Sequence, residues 1–204
     1  MKVLLVNGSP HKTGCTYTAL NEIAKVLEEE GIESEILWLG KDPVPDCTAC
    51  LSCRRRGVCV YNDSVNDIGA RIDEFDGFVF GSPVYYSGPT GAICSWMDRF
   101  FYTYSSKLAR KPVASVVSAR RSGTTATFER LNQYYLMCNM VVVGSQYWNN
   151  VHGSKPEDVE KDEEGLQTMR TLGRNLAYVI KCMGTAQEVT APRVEEHLWT
   201  NFIR

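Results

Sequence analysis

Four of the eight cysteines lie close together, as Cys47, Cys50, Cys53 and Cys59. Two residues separate each of the first three, and five separate Cys53 from Cys59. A Cys-x2-Cys-x2-Cys run can wrap three corners of an iron–sulfur cubane, and Cys59 can close the fourth. Structural zinc prefers two separated cysteine pairs, and thiols this near one another can also work as free redox groups. The spacing favours one [4Fe–4S] cluster and leaves zinc and reactive thiols as alternatives. Arg54, Arg55 and Arg56 sit between the last two cysteines, where positive charge offsets a thiolate-bound cluster or attracts an acidic electron-transfer partner. Cys15, Cys94, Cys138 and Cys182 are scattered singly and read as small apolar residues. Cys15 differs in opening a helix, where its pKa is expected to fall.

The second chemical feature is the stretch VLLVNGSPHKTGCT, residues 3–16. Val3 to Val6 form an apolar run too short for a helix, and Asn7, Gly8, Ser9 and Pro10 turn the chain. From Cys15 to Glu30 apolar residues recur at three- and four-residue steps, as on an amphipathic helix. Gly8, Ser9, Thr13, Gly14 and Thr16 therefore present free amides, hydroxyls and the positive end of a helix dipole to one point, which suits a phosphate. The P-loop pattern fails, because five residues separate Gly8 from Gly14 and Cys15 stands in place of the lysine. The Gly-x-Gly-x-x-Gly fingerprint fails as well. A single phosphate monoester fits the loop better than a triphosphate or a dinucleotide.

Two more loops share this form. Ser82 to Pro89 follows the short strand Gly77 to Gly81, and Pro83, Val84, Tyr85, Tyr86 and Ser87 offer amides and flat side chains beside a planar ring. Ala119 to Thr125 follows Pro112 to Ser118, and its Arg120, Arg121 and Gly123 can donate to ring carbonyls. The elements that must position these loops alternate regularly. Strands are expected at 3–6, 32–39, 77–81, 112–118 and 140–143, with helices at 15–30, 64–75, 127–139 and 156–183 and one more after Pro89 that carries Ile93, Met97 and Phe100/Phe101 on one side. That pattern specifies a doubly wound five-stranded parallel sheet of flavodoxin-like order 2-1-3-4-5, with helices on both faces. In this order the loops after strands one, three and four meet at one edge of the sheet.

Length and composition agree with one domain, 1–190, that includes a cysteine-rich loop at 46–60. The chain has 204 residues, 44% of them hydrophobic, and a formal net charge of −2. That balance gives no electrostatic footprint for nucleic acid or an anionic membrane. No run reaches transmembrane length and no signal peptide is recognisable, so a cytoplasmic protein is expected. The tail, 191–204, holds Leu198, Trp199, Phe202 and Ile203 and is expected to pack on a partner subunit.

The motifs NGSPHKTGCT, CTACLSCRRRGVC, GSPVYYSGPTGAICSWMDR and SARRSGTTATFERLN, with QYWNNVHG beyond them, carry a resemblance. The chain resembles the NADPH-dependent FMN reductase-like branch of the flavodoxin superfamily, and within it the iron–sulfur flavoproteins. The resemblance implies FMN held at its phosphate by Ser9, His11, Thr13, Cys15 and Thr16, at its ring by Pro83 to Ser87, and from the third loop by Arg120, Arg121 and Gly123. His11 and Cys15 depart from the Arg or Lys and the Asn or Ser that the family often carries there, which points to weaker, pH-dependent phosphate binding. The implied activity takes hydride from NAD(P)H as a transient co-substrate and delivers electrons to a quinone, flavin, azo or nitro compound, or to a protein. No acid or base is needed, so no catalytic side chain is named. The resemblance also points to a homodimer or homotetramer. Two other readings remain open, a non-enzymatic electron carrier working with a ferredoxin and a redox sensor built on the cysteine loop.

Overall fold

A computed structural model describes residues 1–185, 189–190, 192–193, 195–196, 198 and 200. Strands β1 (Lys2–Asn7), β2 (Glu33–Trp38), β3 (Gly77–Pro83), β4 (Pro112–Ala119), β5 (Val141–Val142) and β6 (Asn150–His152) form one sheet. Its order is β2-β1-β3-β4-β5, with β6 also on β4, and every pairing is parallel. Val3, Leu4, Leu5 and Val6 are fully buried because both faces of the sheet are covered.

The helices are α1 (Cys15–Glu29), α2 (Ser52–Arg56), α3 (Ser64–Ala70), α4 (Gly91–Leu108), α5 (Thr124–Met137), α6 (Pro156–Val159) and α7 (Glu163–Thr185). Successive strand side chains point to opposite faces, and the two cores divide accordingly. Val3, Leu5, Val79 and Ala114 pack with the apolar stripes of α1 and α7. Leu4, Val6, Phe78 and Phe80 pack with α3, α4 and α5, where Trp96 stacks on Phe100 at 4.5 Å.

Helix α5 starts at Thr124 and ends at Met137 rather than spanning 127–139, and β3 runs on to Pro83; three other changes are larger. The last strand is broken, since only Val141 and Val142 pair with the start of β4, and Asn150 to His152 resume against its end. Gly144 to Asn149 leave the sheet between them, held by Ser145, whose Oγ lies 2.7 Å from both Tyr147 O and Asn149 Oδ1. The single final helix is instead α6 and α7, because Asp162 turns its carboxylate to Gly165 N–H at 2.9 Å and His152 N–H at 2.7 Å. A residue capping in this way leaves the helical conformation. The helix expected at 64–75 ends at Ala70, and a 3-10 turn, Ile72–Glu74, completes it. Most of the tail read as a subunit contact, including Trp199, Phe202 and Ile203, lies outside the described residues.

Candidate functional site

The first loop is built by Asn7, buried at the end of β1. Its Oδ1 accepts from Ser9 N–H at 3.0 Å and its Nδ2 donates to Lys12 O at 3.2 Å. The Gly8 amide donates to Gly81 O at 2.9 Å. A Cβ at Gly8 would stand 2.6 Å from that of Ile93, so only glycine lets β1 turn this close to α4. Gly14 is the N-cap of α1 and brings no side-chain cap. The first-turn amides of α1 therefore face outward without a helical or capping acceptor.

The residues expected at a phosphate divide into two groups. His11, Thr13 and Cys15 line a cavity of about 910 Å³, counted to its open mouth, together with Lys12, Lys41 and Lys155. Ser9 and Thr16 are buried instead. The Ser9 hydroxyl accepts from His11 N–H at 3.2 Å, and the Thr16 hydroxyl lies 2.8 Å from that of Ser118. Both shape the loop more than they meet its opening. Sequence reasoning missed the three lysines, which come from separate loops, and Trp38, whose Nε1 donates to Ser9 O at 2.8 Å. The expectation for Cys15 is reversed, because burial raises its thiol pKa and Asp158 and Glu157 add to the rise.

Thr90 ties the second loop to the first. Its hydroxyl donates to Gly8 O at 2.8 Å and caps α4 by accepting from Ile93 N–H at 3.3 Å. Tyr85 and Gly88 exchange backbone hydrogen bonds of 2.8 and 3.0 Å. Between them Tyr86 and Ser87 have φ of 48° and 59°, a two-residue hairpin with both central residues left-handed. Neither is glycine, so this tip costs about 1–2 kcal/mol per residue. Tyr86 is fully exposed there and Tyr85 half exposed.

The third loop packs on the second. Val84 N–H donates to Ser118 O at 2.9 Å. Gly123 has φ of 88°, and a Cβ on it would lie 2.9 Å from Val84 Cγ1 and 3.0 Å from Ser87 Cα. Arg120 and Arg121 stand exposed beside it. The loops after β1, β3 and β4 thus adjoin at the carboxyl edge, as the topology requires.

A separate cavity of about 330 Å³, its open part included, is lined by Cys47, Cys50, Cys53 and Cys59 together. Cys47 and Cys50 are exposed, Cys53 half-buried and Cys59 buried. Left-handed Ala49 and Leu51, with φ of 52° and 56°, curl the loop so that α2 starts just before Cys53. The Ser52 backbone N–H, with Thr48 and Arg55 behind it, lowers the Cys50 thiol pKa. Arg54 lies against Tyr102, while Arg55 and Arg56 are exposed. Among the described residues no group of three His, Cys, Asp or Glu is arranged to hold one metal ion. The four thiols share one cavity, and a cubane, unlike a single zinc, takes each thiolate on a different iron.

Arg99, on α4, also lines this cavity, although its place in the run MDRFFY gave no chemical signal. Its side chain is buried, Nη1 lies 3.6 Å from Cys59 Sγ, and its Nε has no hydrogen-bond partner. Burial works against its charge, but the bonds to Asp63 and Cys59 more than offset this and raise its pKa. The remaining cysteines carry no shared chemistry: Cys94 and Cys138 are half-buried with pKa raised by burial, and Cys182 is exposed.

Residues 1–155 match the family of NADPH-dependent FMN reductases. The chain belongs to that family. Within it, the chain is 32% identical over 189 residues to an iron–sulfur flavoprotein of Methanocaldococcus jannaschii, covering 89% of this chain and 98% of the relative. Its fold is that of an NAD(P)H:quinone oxidoreductase from Methanothermobacter marburgensis, with a TM-score of 0.67 at 19% identity, covering 86% of this chain and 96% of that one. An archaeal flavodoxin superposes with a TM-score of 0.60 at 14% identity, covering 89% and 99%. This FMN reductase-family chain is therefore a flavodoxin-like α/β protein of the iron–sulfur flavoprotein branch. Among its described residues no helix is long and apolar enough to cross a membrane.

Proposed function

We propose that the protein is an FMN-dependent oxidoreductase that accepts electrons from NAD(P)H. In this reading they pass on to a quinone, flavin, azo or nitro compound, or to a protein. The observation that carries this reading is the junction of the three loops, with unpaired first-turn amides of α1 at one end and the Val84–Gly123 contact at the other. When bound, FMN supplies hydride acceptance and a [4Fe–4S] cluster supplies one-electron exchange.

The chain's own residues do the binding and orienting. The amides of the α1 first turn, with His11 and Thr13, hold the phosphate dianion, and Lys12, Lys41 and Lys155 raise the local potential. Ser9 and Thr16 keep the loop in shape. Pro83 to Ser87 flank the ring and exclude water from one side, while Arg120, Arg121 and the Gly123 amide face its polar edge. Cys47, Cys50, Cys53 and Cys59 hold the cluster, and the name of the M. jannaschii relative supports that assignment.

A second reading, an electron carrier without its own substrate, is favoured by the cysteine cavity, since a cluster and a flavin in one chain would couple one- and two-electron chemistry. We place the protein in the cytoplasm as a homodimer or homotetramer, which sedimentation would test. To test the main reading, the protein is purified without oxygen and its absorption spectrum recorded with iron and acid-labile sulfide assays. NAD(P)H is then added. Flavin bands that bleach within seconds support the reductase. Flavin bands with iron that do not bleach support the carrier, and absence of flavin overturns both.

A further inference from the structure

Arg99 is a cation placed inside the protein with one carboxylate and one thiol as its polar partners. It is 2% exposed. Nη1 and Nη2 donate to Asp63 Oδ1 and Oδ2 at 3.2 and 2.6 Å, and Nη1 also reaches Cys59 Sγ at 3.6 Å. The guanidinium carbon lies 5.3 Å from the Tyr61 ring centroid. Nε is buried and donates to nothing. A guanidinium in such a setting is costly unless compensated, and Asp63 alone leaves donor capacity at the wall of the cysteine cavity.

Arg99 is not what fixes the Cys59 backbone. Cys59 N–H donates to Asn66 Oδ1 at 2.9 Å, and Asn66 Nδ2 donates back to Cys59 O at 3.0 Å and to Tyr61 O at 2.9 Å. Asn66 sits on α3, whose N-cap is Asp63, accepting from Val65 N–H at 3.1 Å. The Cys59 backbone is thus held by α3, and the charge beside its thiol is supplied separately by α4.

We propose that Arg99 sets the reduction potential of the cluster held by the four cysteines, acting through Cys59, and that Asp63 opposes it. The inference rests on the cluster reading above. One-electron reduction adds a negative charge to an already anionic thiolate-bound cluster. A buried cation against one ligand favours the reduced form with little water to screen it, and the half-exposed carboxylate of Asp63 disfavours it more weakly. Arg99 is a positioning residue in this account, since it touches a ligand of the cluster and not the substrate.

The experiment is an anaerobic redox titration of the purified holoprotein with dithionite, followed by electron paramagnetic resonance. Iron, sulfide and flavin are counted on the same samples. Arg99→Met is expected to shift the oxidised-to-reduced ratio at a given potential at least tenfold towards oxidised, a fall of about 59 mV for one electron. Arg99→Lys keeps the charge and stays near wild type. Asp63→Asn keeps the cap, since Asn caps as well as Asp, and shifts the potential upward. The opposite signs are what a merely structural role does not produce. Full iron with unmoved potentials, or shifts of one sign in Arg99→Met and Asp63→Asn, overturns the proposal alone. If Arg99→Met loses its iron, Asp63→Asn decides: an upward shift supports the proposal and no shift overturns it. Wild-type protein without iron and sulfide overturns the cluster reading and the proposal with it.

Discussion

The hydroxyl of Thr16 lies 2.8 Å from that of Ser118, so the first turn of α1 is tied to β4 beneath the point where the three loops meet. Both residues are buried. Removing either hydroxyl leaves the other unsatisfied, at about 1–3 kcal/mol. Thr16→Val and Ser118→Ala are each expected to lower the urea midpoint, and the double variant to cost less than their sum. Strict additivity would show that the two hydroxyls do not bond to each other.

Gly123 is where the third loop presses against the second. Its φ of 88° and the 2.9 Å approach to Val84 leave no room for a side chain. Gly123→Ala is expected to cost about 1–3 kcal/mol and to weaken flavin retention, since the two loops must part. Unchanged thermal stability with full flavin would show that the loops do not press together there.

Acid stability should depend on Glu35. Arg71 bonds its carboxylate at 2.8 and 3.1 Å and Lys2 at 2.9 Å, and the Arg71 bonds lead in lowering its pKa to about 2. A depressed carboxylate stabilises the fold above its unfolded pKa near 4.5, and that stability is lost as pH falls from there through about 2. Screening at this partly exposed site limits the effect to about 1 kcal/mol. Glu35→Gln should flatten the acid limb of the stability profile across this window and lower the plateau above it. An unaltered acid limb would contradict this.

Much of this was legible in the residues themselves. The four-residue apolar run of β1 and the small residues after it marked the turn into α1, and the alternation of elements led to the sheet order. The broken fifth strand was not legible, because Met140 to Val143 reads as a continuous apolar run. Only the Asn149 and Ser145 side-chain bonds show where the chain leaves the sheet. The Cys15 pKa was misread because a helix terminus suggests a lowered value, while burial against Gly153 dominates. Arg99 was missed because its partners Cys59 and Asp63 come from a different part of the chain, and no local spacing connects them.

The cysteines should separate by position. Cys59→Ser removes a thiol from the shared cavity and is expected to abolish bound iron, whereas Cys182→Ser, exposed on α7, leaves the iron count unchanged. Equal iron in both variants, counted after anaerobic purification, would remove Cys59 from the ligand set.

In the proposed function the loops after β1, β3 and β4 hold FMN by its phosphate. The most direct measurement is calorimetric titration of flavin-free protein with FMN and with riboflavin, which share the ring and differ in the phosphate. FMN is expected to bind at least about 100-fold tighter, corresponding to about 2.7 kcal/mol from the α1 amides and nearby lysines. Equal affinities, or no binding of either, would contradict it.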